Sequence, residues 1–194
     1  PDGFGVAFLA RHLGELTAQH RELTIQLVPV PRSFSLSRRE ADIVITVERP
    51  TEGRLVAGKL VDYSLGLFAS RSYAEEHGLP KSVAELSGHT LIGYVPDLIV
   101  SPSLDYEAEF SADWRSTFAI SSALGQAEAV RAGAGIGILH TFVARSMPEL
   151  VPVEIIAPIR RAYWLVYHET VRPLRRVQTV ASFSSKAVER ERAV

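Results

Sequence analysis

Along this chain the spacing of apolar residues keeps switching between about two and about 3.6, and that switching constrains the fold more than any other feature. Phe8, Leu9, Leu13 and Leu16 recur at helical spacing, with Arg11, His12, Glu15 and Gln19 between them, which predicts an amphipathic helix of about four turns after an opening turn at Pro1 to Gly5. Leu23 to Leu27 then alternates apolar and polar, the pattern of a half-buried strand, and Pro29 and Pro31 end it. A short helix is expected at Leu36 to Glu40. Asp42-Ile43-Val44-Ile45-Thr46-Val47 is nearly continuous in β-branched residues, as for a strand buried on both faces. A loop from Arg49 to Gly53 leads into a long β region, Leu55 to Ala69.

The alternation continues to the end. Short helices are expected at Ser72 to His77 and Ser82 to Leu86, the second with Glu85 placed for a capping box. Thr90 to Tyr94 and Phe118 to Ile120 read as strands, separated by a Pro- and Ser-rich loop. Ser121 or Ser122 can cap a helix running to about Ala132, which Gly133-Ala134-Gly135 stops before the buried strand Ile136 to Leu139. A helix at Thr141 to Arg145, strands at Leu150 to Val153 and Ala162 to Tyr167, and a last helix from Pro173 to about Arg190 complete the pattern. Strands and helices in turn imply an α/β chain with a largely parallel sheet covered by helices on both faces. Such sheets bind ligands beyond the carboxyl ends of their strands, near helix N-termini.

Composition removes several function classes. The formal net charge is −1, without the basic excess that nucleic-acid binding by these residues requires. Cysteine is absent, which excludes disulfides, thiolate catalysis and Cys-based metal sites. No apolar run approaches the roughly 20 residues of a membrane-spanning helix. The abrupt opening Pro1-Asp2-Gly3-Phe4-Gly5, with no signal-peptide pattern, is what a segment taken from within a longer chain would show.

The catalytic motifs fail one by one. Gly53 to Lys59 has P-loop spacing, but Leu60 stands where a Mg²⁺-binding Ser or Thr belongs, and Leu55-Val56-Ala57 reads as strand. The glycines at 133, 135 and 137 follow a helix and precede a strand, the reverse of the order a pyrophosphate needs. There is no Gly-x-Ser-x-Gly elbow. The six histidines, at 12, 20, 77, 89, 140 and 168, include no pair at helical spacing that could grip a metal. Arg172, Arg175 and Arg176, and the mixed charges from Glu189 to Arg192, read as solvated surface. No cofactor or metal is expected, and an enzyme is not.

Taken in order, several segments resemble the effector-binding domain of LysR-type transcriptional regulators. They are Asp2-Gly3-Phe4-Gly5 with Phe8-Leu9-Ala10 and Leu13, then Glu40-Ala41-Asp42-Ile43-Val44-Ile45, then Leu55-Val56-Ala57 with Leu67-Phe68-Ala69-Ser70 and Tyr73. His77-Gly78-Leu79-Pro80 with Glu85-Leu86 and His89 follows, then Ala132-Gly133-Ala134-Gly135-Ile136-Gly137-Ile138-Leu139, where His140 replaces that family's usual proline. Trp164-Leu165-Val166-Tyr167 and Pro173-Leu174 complete the set. Each motif alone is weak, and their order is specific.

The resemblance implies two Rossmann-like lobes joined by a two-strand hinge, as in type 2 periplasmic binding proteins. Lobe I would be residues 1–70 and 164–194, and lobe II residues 71–163, with the chain crossing near Ser70 and Tyr163. A winged helix-turn-helix and the first strand of lobe I would lie outside this chain. The implied function is ligand sensing in a cytoplasmic, DNA-binding regulator. A small-molecule effector, a carboxylate or aromatic metabolite for example, would sit in the interlobe cleft and alter the geometry of a homodimer or homotetramer. DNA would be met only through the missing domain, and no membrane is involved. A periplasmic-type solute-binding protein of a transport system is the alternative.

Loops leaving strands toward helices name the expected effector contacts: Asp2, Gly3 and Phe4; Arg32 and Ser33; Gly93, Tyr94 and Val95; Ser121 and Ser122; Gly135 and Ile136. Arg32 reads either as partner of a ligand carboxylate or as an exposed loop arginine. Ser121 and Ser122 read as ligand donors or as plain helix caps. Phe4 and Tyr94 read as apolar walls or as core. Asp2 departs from the resemblance, since that family often has a small hydroxyl residue there, and an acidic group disfavours an anionic ligand unless it points away.

Overall fold

The computed structural model describes residues 1–30, 35, 36, 38, 40–99 and 102–192. In chain order its regular elements are α1 (Asp2–Phe4), a π-helical turn (Gly5–Leu9), α2 (Ala10–Gln19), β1 (Val44–Thr46), β2 (Leu55–Ser70), α3 (Arg71–His77), β3 (Leu91–Gly93), α4 (Glu107–Phe110), β4 (Phe118–Ala119), α5 (Ala123–Arg131), β5 (Ile136–His140), α6 (Thr141–Ala144), β6 (Leu150–Pro152), β7 (Ile159–His168) and α7 (Arg175–Arg192). Single 3₁₀ turns join several of them.

Contacts divide the chain into two compact units. The first holds Pro1, Gly3–Asp62 and Ala162–Val194; the second holds Asp2 and Tyr63–Arg161. The chain therefore changes unit within β2 and within β7. The second lies beside Tyr163, and the first lies within β2 ahead of Ser70, the two crossings that the resemblance implies. β2 is one unbroken strand of 16 residues, so no turn residue marks the change.

In the first unit β1 pairs antiparallel with β7, with Ile45 opposite Leu165, and β7 neighbours β2. Its core is built on α1, the π turn and α2. Phe4 stacks on Phe8 with ring centroids 4.9 Å apart and lies 4.7 Å from Tyr163. Leu9, Leu13, Leu16 and, from α7, Val177, Ala187 and Val188 are buried with them. Helix ends are tied by exposed pairs, Glu15 with Arg190 and His12 with Glu191.

Two expectations for this unit are corrected. Leu23 to Leu27 forms no strand. Leu23 and Ile25 are half-buried while Thr24 and Gln26 face solvent, so the alternation holds as far as Gln26. A strand also needs a ladder partner, and none is formed with it among the described residues; Leu27, Val28 and Val30 are left exposed. Second, β1 is shorter than Asp42–Val47 and half-buried, not enclosed on both faces, because β7 is its only strand neighbour among the described residues. The helix expected at Leu36 to Glu40 lies partly outside the described residues.

In the second unit β2 pairs antiparallel with β5 and with β6, while β3 runs parallel to both β5 and β4. The sheet is thus mixed, not largely parallel. β2 runs opposite to both β5 and β6, which are therefore parallel to each other and joined through α6. β3 and residues 136–139 of β5 are fully buried. Ser70 caps α3 by accepting from the Tyr73 amide at 3.1 Å. The expected capping box at Ser82 does not form: Glu85 instead accepts from the Lys81 amide and the Ser82 hydroxyl, and Val83–Gly88 is a 3₁₀ turn. Gly133 ends α5 with φ +85°, and a Cβ at Gly135 would lie 2.3 Å from the Thr90 carbonyl oxygen. Pro173 stands before α7 instead of in its first turn.

Candidate functional site

β3 and β5 are parallel and in register, with Leu91 opposite Ile136. Their carboxyl ends, Gly93 and His140, therefore lie at one edge of the ladder, and the loop Tyr94-Val95 leaves from that edge. Gly135 and Ile136 sit at the opposite, amino end. Ile136 is fully buried and donates its amide to Thr90, so these two residues stand apart from the rest of the expected site.

Around the carboxyl edge the second unit gathers polar groups. α5 starts at Ala123, with Ser122 as its cap, its hydroxyl accepting from the Gly125 amide at 3.1 Å. Ser122, not Ser121, thus fills the capping role. The same hydroxyl donates to the Asp2 carboxylate at 2.6 Å, and the amides of Ala123 and Leu124 donate to Asp2 at 3.2 and 3.4 Å. These contacts place Asp2 with the second unit, although its chain neighbours belong to the first.

Beside it, Glu107 of α4 accepts from the Tyr94 amide at 2.8 Å and from the Ser116 hydroxyl at 3.1 Å, and Ser116 accepts from the Trp114 indole at 2.8 Å. Gly93 leaves room for this pair. A Cβ would lie 1.8 Å from the Ser116 oxygen and 2.2 Å from Glu107. Burial pushes the Tyr94 hydroxyl up, and the Asp2 charge adds to the effect. Burial also pushes the Tyr106 hydroxyl up, with the neighbouring Tyr63, Glu107, Tyr94 and Asp2 adding to it. His140 stacks on Tyr63 with centroids 5.2 Å apart and meets the edge of Phe142. Burial takes its pKa down to about 4 against the opposing pull of Asp2, so it is neutral at pH 7.

The structure brings together Asp2, Ser122 and the Gly93–Tyr94 loop from the expected set. Gly3 and Phe4 are buried in the first unit, Phe4 in its aromatic core. Arg32 and Ser33 lie outside the described residues. Sequence reasoning missed Glu107, Tyr106, Ser116, Trp114 and Tyr63. The usable signals were His140 at a proline position and a glycine, Gly93, at a strand end. Among the described residues no cluster of His, Asp and Glu could hold a metal, and no helix is long and apolar enough to cross a membrane. The first unit has its own cleft of about 500 Å³, lined by Leu9, Leu13, the unpaired stretch 23–30, Ile43 and Val180.

Comparison with known proteins agrees with this architecture. The chain superposes on the regulatory domain of CrgA, a LysR-type transcriptional regulator from Neisseria meningitidis, with TM-score 0.83 and 21% identity over 95% of this chain and 94% of that one. It is similar to the effector domain of AmpR from Pseudomonas aeruginosa (TM-score 0.73, 19% identity, 97% and 92% covered). It also matches the full-length Vibrio cholerae virulence activator AphB (TM-score 0.77, 18% identity, 96% and 65% covered). An HTH-type transcriptional regulator of Xanthomonas campestris pv. campestris (strain 8004) is 34% identical over 89 residues, which are 46% of this chain and 26% of that protein. The match thus spans about a quarter of that relative's length. The profile described as the LysR substrate binding domain matches residues 1–188, and the chain belongs to that family.

Proposed function

We propose that this chain is the ligand-sensing regulatory domain of a LysR-type, DNA-binding transcription factor. The observation that carries the reading is the family match across residues 1–188, supported by a fold shared with regulatory domains along nearly their whole length. A small-molecule effector is held, in this reading, at the carboxyl edge of β3 and β5 by Ser122, Tyr94, Val95, Tyr106 and their neighbours. Gly135 and Ile136, at the far end of the ladder, are left to packing. Arg32 and Ser33, outside the described residues, stay in the proposal as effector contacts.

The domain transforms nothing; it binds, and the binding selects among arrangements of a homodimer or homotetramer in the cytoplasm. Only a ligand with different affinity for two arrangements can shift them. DNA is contacted by a helix-turn-helix domain outside these residues. The relatives are regulators, which favours this reading over a transport protein. A thermal-shift screen of small metabolites tests it. A specific binder raises the melting temperature with ligand concentration by mass action and changes the operator affinity of the full-length protein. Turnover of a bound metabolite would refute the reading.

A further inference from the structure

We propose that Asp2 is a specificity-determining residue: its carboxylate fills the anion-accepting start of α5, so the site takes an uncharged or cationic, donor-bearing ligand in place of a carboxylate. The inference rests on the effector-site reading above.

The argument is an accounting of donors. A helix leaves its first four N–H groups without partners inside the helix, and these, with the helix dipole, are what draw an anion. At α5 the amides of its first three residues are taken. Ala123 and Leu124 donate to Asp2 and Gly125 donates to the Ser122 hydroxyl, while Gln126 makes the first bond within the helix, to the Ser122 carbonyl at 2.9 Å. The Ser122 hydroxyl hydrogen is also spent on Asp2, at a distance typical of a charge-assisted bond. The site thus already holds an anionic group, supplied by the chain.

A ligand carboxylate arriving here would have to evict Asp2 or share the same donors beside its charge. Glu107 is a second carboxylate at the same edge, bound to the Tyr94 amide and Ser116, and His140 carries no charge at pH 7. Tyr94, half-buried beside Asp2, offers aromatic surface, which attracts an ammonium group and is indifferent to a hydroxyl, while Tyr106 and Tyr63 are buried behind it.

Benzoate, benzyl alcohol, benzylammonium and inorganic sulfate are suitable probes, since the first three differ only in the polar group. Amide NMR shifts of Ala123, Leu124 and Gly125 are followed in the wild type, D2A and D2N. In the wild type, sulfate and benzoate are expected to leave these amides in place. In D2A they shift saturably, at least tenfold more tightly than any wild-type response. D2N keeps an oxygen acceptor without the charge; it is expected to fold as the wild type does and to gain benzoate affinity less than D2A. Saturable anion shifts in the wild type as tight as in D2A overturn the proposal, and so does a D2A protein whose α5 amides ignore both anions. Either failure leaves the sensor reading standing on the metabolite screen; failure of that screen with D2A gaining sulfate refutes the sensor and not the role of Asp2.

Discussion

β1 and β5 are written in nearly the same alphabet, Val-Ile-Thr against Ile-Gly-Ile-Leu, yet β1 is half-buried and β5 is enclosed up to its last residue. The difference lies in neighbours. β5 has β2 on one side and β3 on the other, while β1 has β7 alone among the described residues. Apolar sequence makes a segment fit for burial, and strand partners decide how much of it is collected.

Paired truncations put that contrast under the heaviest strain. Ile136→Ala removes a side chain with no solvent exposure and is expected to lower unfolding free energy by about 4 kcal/mol; Ile45→Ala, half-exposed, should lose only about 1 kcal/mol. Urea denaturation of both variants checks this, and equal losses would show that partner number is not what matters. Next is Gly93→Ala, whose new methyl collides with Ser116 and Glu107; a loss of about 2 kcal/mol is expected, with the Tyr94 amide losing its hydrogen-bonded NMR shift.

A smaller effect belongs to His140, the buried base at the end of β5. Its folded pKa of about 4 lies below the usual 6.5. Between those values the unfolded chain takes up a proton that the folded one refuses, so stability falls as pH drops from 6.5 to 4 and levels off below that. The loss is about 2 kcal/mol, allowing for the little solvent His140 still meets. His140→Phe should flatten that stretch of the stability–pH curve, while no change in its slope would place the proton elsewhere. The smallest effect is reserved for the first unit's surface. Glu15→Ala breaks an exposed pair with Arg190, and the urea midpoint should not move measurably.

These contrasts also mark what could be read from the residues alone. The switching of apolar period and the ordered motifs were enough for a two-unit α/β fold. A serine cap was legible, as Ser121 or Ser122, because residue type and helix start coincide; the structure selects Ser122. Strand orientation was not: nothing in Leu55 to Ser70 says that its neighbours run the other way. The alternation at Leu23 to Leu27 reported the faces of residues 23–26, failed at the exposed Leu27 and was silent about a ladder. Asp2 and Ser122 are 120 positions apart, and Glu107 meets Ser116 only because Gly93 leaves space for them. Such meetings are properties of the folded chain, and no spacing rule encodes them.

The single strand β2 belongs half to each unit. Its first eight residues, 55–62, are mostly half-buried or exposed, whereas residues 63–70 are mostly enclosed. Amide exchange along one strand should therefore step from fast to slow at Asp62 and Tyr63. A strand of this kind is a built-in gauge: deuterium uptake at adjacent amides reports the opening of each unit separately, within one peptide and one sample.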